Sequence, residues 1–153
     1  MNISLELDSR ELNDVVFEKL NAARVPCQDA MADRVYEIVD SNIGNDGKYR
    51  PKEWEQLRSA RYAKKQGRSF ATLHQDVPPG GELRASVYPI KGGEEYAEVT
   101  TDCKYAATHQ FGDESRNIAE RPFFPFINGE VTDLVKAECM QVCEDQLNEL
   151  LNK

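Results

Sequence analysis

The first residues of the chain alternate between apolar and polar side chains, and the alternation then gives way to helical spacing. The alternation over residues 2–7 predicts a short, half-buried β-strand. Asp8 or Ser9 can cap a helix that follows, because such side-chain oxygens accept hydrogen bonds from the free amides of a first helical turn. Apolar residues at helical spacing between Leu12 and Ala23 supply the buried face of that helix.

A proline interrupts this helical pattern. Pro26 lacks the amide that the helix ladder needs, so we expect a break or a kink at this position. A second apolar stripe over residues 30–39 predicts a second helix, which ends near Gly44 and is followed by the turn sequence Asn45-Asp46-Gly47. The sequence therefore predicts two N-terminal helices.

The second half of the chain mixes strand and helix signals. Loose alternation over 82–90 and 94–101 predicts a hairpin that turns at Lys91-Gly92-Gly93. A long amphipathic helix is expected over 128–151. With the 2–7 strand, these elements predict an α+β fold in a single domain over 1–153, with one antiparallel sheet covered by the N-terminal helices and the C-terminal helix.

Residues 48–81 differ in character, because they hold eight of the 19 basic residues and few apolar ones. This segment predicts a long basic loop, and long loops in compact domains are usually functional or mobile. It can be a solvated surface, a contact with the acidic face of a neighbouring chain, or a tip that touches DNA. Its candidate contact residues are Arg58, Arg61, Lys64, Lys65 and Arg68.

Composition narrows the function classes. The 153 residues carry a net charge of −8, and such an acidic surface repels phosphate and argues against tight wrapping of nucleic acid. It is compatible with DNA that slides through a ring of such chains without sticking. No apolar run approaches the ~20 residues that a bilayer span needs, and the N-terminus lacks the basic and apolar regions of a secretion signal.

The four cysteines have no metal-binding or redox spacing. Cys27, Cys103, Cys139 and Cys143 form no Cys-x-x-Cys pair, and only the last two fall on one face of a helix. We expect them to act as small buried apolar side chains, with neither a metal nor a cofactor.

Two blocks stand out, and the first is Tyr105-Ala-Ala-Thr-His-Gln-Phe-Gly112. It predicts a short helix or turn that Gly112 ends. His109, beside Gln110, is expected to fix the turn through hydrogen bonds to backbone carbonyls. Phe111 is expected to anchor the turn in the core, and Gly112 lets the chain reverse.

The second block, Arg121-Pro-Phe-Phe-Pro-Phe126, follows a polar loop over 113–119. Each proline restricts the residue before it, so the block is expected to be extended. Arg121 can pair with a carboxylate or carbonyl of its own or a neighbouring chain. Phe123, Phe124 and Phe126 cannot all point inward from an extended segment, so at least one needs a partner outside the sheet, either the terminal helix or another subunit.

The two blocks in this order resemble those of the virion-morphogenesis family of tailed bacteriophages, also called tail-completion proteins and best known from Mu-like phages. That family carries Tyr-Ala-x-x-His-Gln-Phe-Gly and then Pro-Ala-Arg-Pro-Phe. The similarity extends to Asp46-Gly47 with Trp54 and Leu57, and to the hairpin opening at Gly81–Ser86. One departure is that Ala119-Glu120 replaces Pro-Ala, which loosens the loop and places a charge beside Arg121.

The resemblance implies a structural protein rather than an enzyme. Such proteins act in the virion at the neck or the head-proximal tail end, after assembly in the host bacterial cytoplasm. They resemble tail terminators, which form rings around the DNA channel, commonly with six subunits. The implied partners are copies of the same chain, other neck, connector and tail-tube proteins, and DNA that passes without sequence-specific binding. The residues implied to be structural or interfacial are Tyr105, His109, Gln110, Phe111, Gly112, Arg121, Pro122 and Phe123.

Two other functions are compatible with the sequence. Cys103 and His109 could serve as nucleophile and base of a small thiol-dependent hydrolase, although no third partner or oxyanion-hole pattern accompanies them. The basic stretch 48–68 could instead bind nucleic acid, against which the net charge argues.

Overall fold

The computed structural model of the protein describes residues 9–44, 47–54 and 81–152, with side chains from Val15 onward in the first helix. Helices and small antiparallel sheets are combined in it, so the predicted α+β class is confirmed. The expected strand at 2–7 and the five basic contact residues of the 48–81 loop lie outside the described residues.

The N-terminal region forms one long helix instead of two. Helix α1 spans Ser9–Ile43 and contains Pro26, so the expected break at that proline is wrong. A proline inside a helix costs about 3 kcal/mol. The apolar stripe nevertheless continues on the same face through the buried residues Ala23, Cys27 and Ala32. A helix that packs along this stripe offsets the cost, because tertiary contacts override local propensity.

That covering helix is the last one, which spans Asp133–Leu151. The side chain of Arg34 contacts that of Glu138, and the thiol of Cys27 donates to the carbonyl oxygen of Cys143 at 3.6 Å. Earlier residues of α1 therefore meet later residues of the last helix, so the two helices are antiparallel.

The predicted hairpin is present but shorter than expected. Helix α2, Glu82–Ala85, replaces the first half of the 82–90 strand and is followed by strands β1, Val87–Ile90, and β2, Glu98–Thr101. The strands are antiparallel, with Val87 opposite Thr101. The turn of helix forms because it buries Leu83 completely. Ser86 then closes the turn by donating from its hydroxyl to the carbonyl oxygen of Leu83 at 2.8 Å.

The final third begins with helix α3, Ala106–Phe111, and a 3₁₀ turn, Glu114–Arg116. The predicted start of the C-terminal helix at Asn128 is wrong, because a second hairpin lies there. Strands β3, Phe126–Ile127, and β4, Glu130–Val131, pair across Asn128 and Gly129. Both turn residues have positive φ, 52° and 82°, as a type I′ turn requires. Helix α4, Asp133–Leu151, follows.

Two clusters of buried side chains hold these elements together. The larger one joins residues of α1, α2, β1, α3 and the second block: Val39, Ile43, Leu83, Val87, Ala106 and Phe123. The smaller one joins α1 to α4 through Ile38, Tyr49 and Val135. Within the described ranges, no helix has the length and apolar character needed to cross a bilayer.

Candidate functional site

The second sequence block lies in the interior of the chain. Arg121 is 6% exposed and Phe123 is 0% exposed, and Pro122 between them is also buried. The side chain of Arg121 is therefore part of the chain's own packing and does not present an open charge to a neighbouring chain.

Gln110 joins the first block to the second. Its side-chain oxygen accepts hydrogen bonds from the backbone amides of Phe123 and Phe124, both at 3.0 Å. Its side-chain nitrogen donates to the carbonyl oxygens of Phe124 and Phe126 at 3.3 and 3.4 Å. All four hydrogen-bonding positions of a glutamine amide are thereby used. One side chain therefore makes the hydrogen bonds to this extended backbone that a neighbouring β-strand would otherwise make.

The backbone of the first block also contacts the chain just before and at the start of the second block, through one hydrogen bond and one close packing contact. The amide of Arg121 donates to the carbonyl oxygen of His109, whose ring lies edge-on against the ring of Tyr105 at 5.5 Å. Gly112 ends α3 with φ 74° and ψ 179°, a conformation nearly restricted to glycine. A β-carbon there would lie 2.9 Å from the amide nitrogen of Glu120. The glycine is therefore required both for the turn and for the approach of the returning chain.

A third part of the resemblance, the stretch from Gly47 to Trp54, meets the second block as well. The guanidinium of Arg50 donates to the carbonyl oxygens of Asn42 and Gly44 at 2.9 and 2.6 Å, which satisfies carbonyls at the end of α1. It also lies 3.6 Å from the centre of the Trp54 ring. The indole of Trp54 donates to the carbonyl oxygen of Pro122 at 3.2 Å.

A buried asparagine completes the contacts of Phe123. Asn42 is fully buried on α1 and donates from its side-chain nitrogen to the carbonyl oxygen of Phe123 at 3.0 Å. Two side-chain amides from different helices thus hold the backbone of one buried phenylalanine. Asn42 was not predicted from the sequence, although a polar residue among Ile38, Val39 and Ile43 on an apolar stripe was an available signal.

The loop between the two blocks is held by charges. Glu120, the unexpected charge beside Arg121, forms an ion pair with Lys52. Asp113 caps the 3₁₀ turn by accepting from the amide of Arg116. Hydrogen bonds from the hydroxyl of Ser115 and the guanidinium of Arg116 lower the pKa of Asp113 to about 2.

Four phenylalanine rings run from the interior to the surface beside these contacts. Consecutive ring centres are 5.0 Å apart for Phe123 and Phe124, 6.1 Å for Phe124 and Phe126, and 6.3 Å for Phe126 and Phe111. Phe111 is 67% exposed, so the expectation that it anchors the turn in the core is wrong. α3 buries Ala106 and Gln110 on its inner side and leaves Phe111 on the outer side.

The rings line an open apolar groove, which we call the aromatic groove. One part has a volume of about 700 Å³, and its lining includes Val99, Phe124, Phe126, Val131 and Val135. An adjoining part of about 290 Å³ shares the first three of these residues and adds Phe111. Glu130 and Lys136 also line the larger part. The exposed phenylalanine therefore belongs to a continuous apolar surface.

A second polar cluster ties α1 to α4. The hydroxyl of Tyr49 donates to Glu138 at 2.9 Å and accepts from Arg34 at 2.8 Å, and Arg34 also donates to Glu138 at 2.8 Å. The hydrogen bonds from Arg34 and then Tyr49 lower the pKa of Glu138. This cluster has the character of a structural brace, since each of its members is satisfied by another.

The cysteines are distributed as small packing residues. Cys27 is buried, and burial followed by its hydrogen bond to Cys143 raises the pKa of the thiol to about 11. Cys103 packs at the margin of the larger core, and its carbonyl oxygen accepts from the amide of Ala106 at 3.0 Å. In residues 9–44, 47–54 and 81–152, no group of three or more histidine, cysteine or acidic side chains has the arrangement to hold a metal ion.

The arrangement defines a class of site: a buried, hydrogen-bonded segment of backbone with an exposed apolar groove beside it, which suits the docking of another polypeptide. Comparison of the chain with models of protein families, with curated proteins and with solved structures gives no match.

Proposed function

We propose that this chain is a structural subunit of a tailed-phage virion that completes the neck or the head-proximal end of the tail as part of a ring around the DNA channel. The observation that carries the proposal is the set of four hydrogen bonds between the side chain of Gln110 and the 123–126 backbone. They make one structural unit of the two blocks whose order and residues resemble the virion-morphogenesis family.

Two further observations support an assembly role. Trp54 reaches Pro122, so the third stretch of resemblance contributes to the same unit. The aromatic groove beside it leaves a large phenylalanine in solvent, and large apolar patches on small domains usually mark sites of protein contact. Both observations fit a chain in which the residues of the two blocks build a scaffold and the surface beside them binds a neighbour.

The test is deletion of the gene from the phage or prophage that carries it, followed by electron microscopy of induced lysates. We expect filled or fillable heads and separate tails with few infectious particles, because losing one ring blocks joining or tail completion but leaves capsid assembly intact. Fully joined, infectious virions from the deletion would refute the proposed function.

Complementation of the deletion from a plasmid then distinguishes variants that fail to assemble from variants that fail to fold. The wild-type chain is expected to restore infectivity, whereas Phe111→Glu is expected to restore it only partly, since it places a charge on an exposed contact surface. Arg121→Glu is unsuitable for this purpose, because Arg121 is buried and its reversal would disturb the fold itself. Circular dichroism of the purified variants verifies that each is folded.

A further inference from the structure

The first helix extends well past the helix that covers it. The contacts of Arg34 with Glu138 and of Cys27 with Cys143 set an antiparallel register between α1 and α4. At this register the last residues of α4 lie near Leu20. Roughly 11 residues of α1, or about 16 Å, therefore continue beyond the end of α4. We call the segment from Val15 to Leu20, which leads from the end of α4 into this extension, the arm.

The arm is apolar on one face of α1, the same face that α4 covers from about Ala23 onward. Val16 and Leu20 continue at helical spacing the stripe that includes the buried residues Ala23 and Cys27. Phe17 lies next to this stripe and is 66% exposed. None of the described residues covers the arm, and an amphipathic helix with anchors at such spacing is the kind of segment that docks in an apolar groove.

A groove of that kind is present on the same chain, but the arm cannot reach it there. The aromatic groove extends towards Val35 of α1, and about 27 Å of continuous helix separate Phe17 from Val35. Because α1 is one continuous helix over this distance, Phe17 cannot reach the groove of its own chain. An occupant from α1 must therefore belong to another copy.

We propose that the arm of one copy docks in the aromatic groove of the next copy, with Phe17 and Leu20 as its anchors. The groove's apolar lining matches the arm's apolar face. The arm carries Glu18 and Lys19 beside that face, and the groove carries Lys136 and Glu130, so each surface offers a charge opposite to one on the other. The two surfaces differ, so the contact is heterologous and joins copies head to tail. This inference deepens the proposed function and rests on its ring of identical subunits.

The test uses the full-length chain and measures its mass in solution by sedimentation and light scattering. Phe17→Glu damages the arm and Phe111→Glu damages the groove. The matched control is Met140→Glu, which charges an equally exposed apolar residue (64%) that belongs to neither surface. Circular dichroism and thermal melting establish that all variants are folded.

We expect the wild-type chain and Met140→Glu to form the same oligomer. Phe17→Glu and Phe111→Glu are each expected to weaken self-association by about tenfold or more, as loss of an aromatic anchor does at other interfaces. An equal mixture of the two is expected to form dimers and nothing larger. One copy then supplies an intact arm and the other an intact groove, and each dimer has a damaged surface at both ends.

Every other result overturns the inference. If Phe17→Glu dissociates while Phe111→Glu does not, arms pair with arms. If only Phe111→Glu dissociates, the groove takes a different occupant, such as another part of the chain. A mixture that stays monomeric, or variants that both keep the wild-type mass, exclude docking of arm in groove, as does a wild-type chain that is monomeric at the highest concentration reached. Such failures leave the proposed function to be decided separately by the lysates of the deletion phage.

Discussion

At the residue scale, Gln110 joins two segments of the chain through the four hydrogen bonds of its side chain. A single buried amide satisfies two donors and two acceptors of the 123–126 backbone. That backbone could not otherwise be buried without loss, since an unpaired buried amide costs about 1–3 kcal/mol. The glutamine and the segment that it holds are separated by a loop in sequence but form one unit in the fold.

Replacing this glutamine tests that interpretation. Gln110→Ala is expected to lower the free energy of unfolding by roughly 2–4 kcal/mol, because the amides of Phe123 and Phe124 lose their partner inside the protein. Gln141→Ala is the matched control, since among the described residues the amide of Gln141 bonds to exposed Asp145 one helical turn away. We expect it to cost at most about 0.5 kcal/mol. Urea unfolding measures both, and equal losses would contradict the role of Gln110.

The phenylalanine rings offer a second comparison. Phe123→Ala is expected to cost about 3–5 kcal/mol, because it empties a fully buried site. Phe111→Ala is expected to cost less than about 1 kcal/mol, because its ring is mostly in solvent already. Thermal and urea unfolding of the two variants, at a concentration where the chain is monomeric, measures the difference. The reverse order of losses would mean that Phe111 is the true core residue.

At the element scale, tertiary packing decides where the helices begin and end. α1 passes through Pro26 because the stripe on both sides of the proline packs against α4. α4 begins at Asp133 and not at Asn128, because Asn128 and Gly129 adopt the positive φ angles of a hairpin turn. An Asn-Gly pair between two short stretches that carry apolar residues is a strong hairpin signal, so this boundary was available from the sequence.

Replacing the proline inside α1 is predicted to stabilise the protein, whereas most substitutions destabilise one. Pro26→Ala is expected to raise the free energy of unfolding by about 1–3 kcal/mol, because alanine restores the amide that can donate to the carbonyl four residues earlier. Pro51→Ala, outside any helix, is expected to lower it slightly, because the unfolded chain gains freedom. Urea unfolding measures both changes. Destabilisation by Pro26→Ala would show that contacts of the proline ring outweigh the missing hydrogen bond.

At the scale of the whole molecule, two charge clusters hold the fold together, one between elements that are distant in sequence and one within a single loop. The Arg34, Tyr49 and Glu138 cluster ties the two long helices together. The Asp113 cluster holds the loop between the two sequence blocks. The pKa is lowered at both carboxyls, at Glu138 chiefly by Arg34 and at Asp113, to about 2, chiefly by Ser115.

These shifts predict a loss of stability in acid. A carboxyl whose pKa is lower in the folded than in the unfolded chain stabilises the fold above its unfolded pKa, near 4, and this contribution disappears as the pH falls through the folded pKa. We expect the free energy of unfolding to fall between about pH 4.5 and about pH 2. Asp113→Asn and Glu138→Gln should each flatten that fall.

Urea unfolding across this pH range measures the effect. Glu144→Gln, on the exposed side of α4, removes a carboxylate that belongs to neither cluster and serves as the control. Curves for Asp113→Asn and Glu138→Gln that run parallel to the wild-type curve would show that neither cluster contributes.

The sequence by itself determined the features that depend on local physics. Periodicity indicated a mixed fold with helices at both ends and a central hairpin, although it predicted two N-terminal helices where the structure has one. Gly112 was correctly expected to end a short helix, because only glycine tolerates that backbone conformation. The sequence also identified the two blocks as a pair. It could not show that Gln110 bonds the second block, that Arg121 is buried or that Phe111 is exposed. Burial and hydrogen-bond partners are decided only when segments far apart in the chain meet. Because α3 packs with Gln110 on its buried side, the next residue, Phe111, lies on its exposed side.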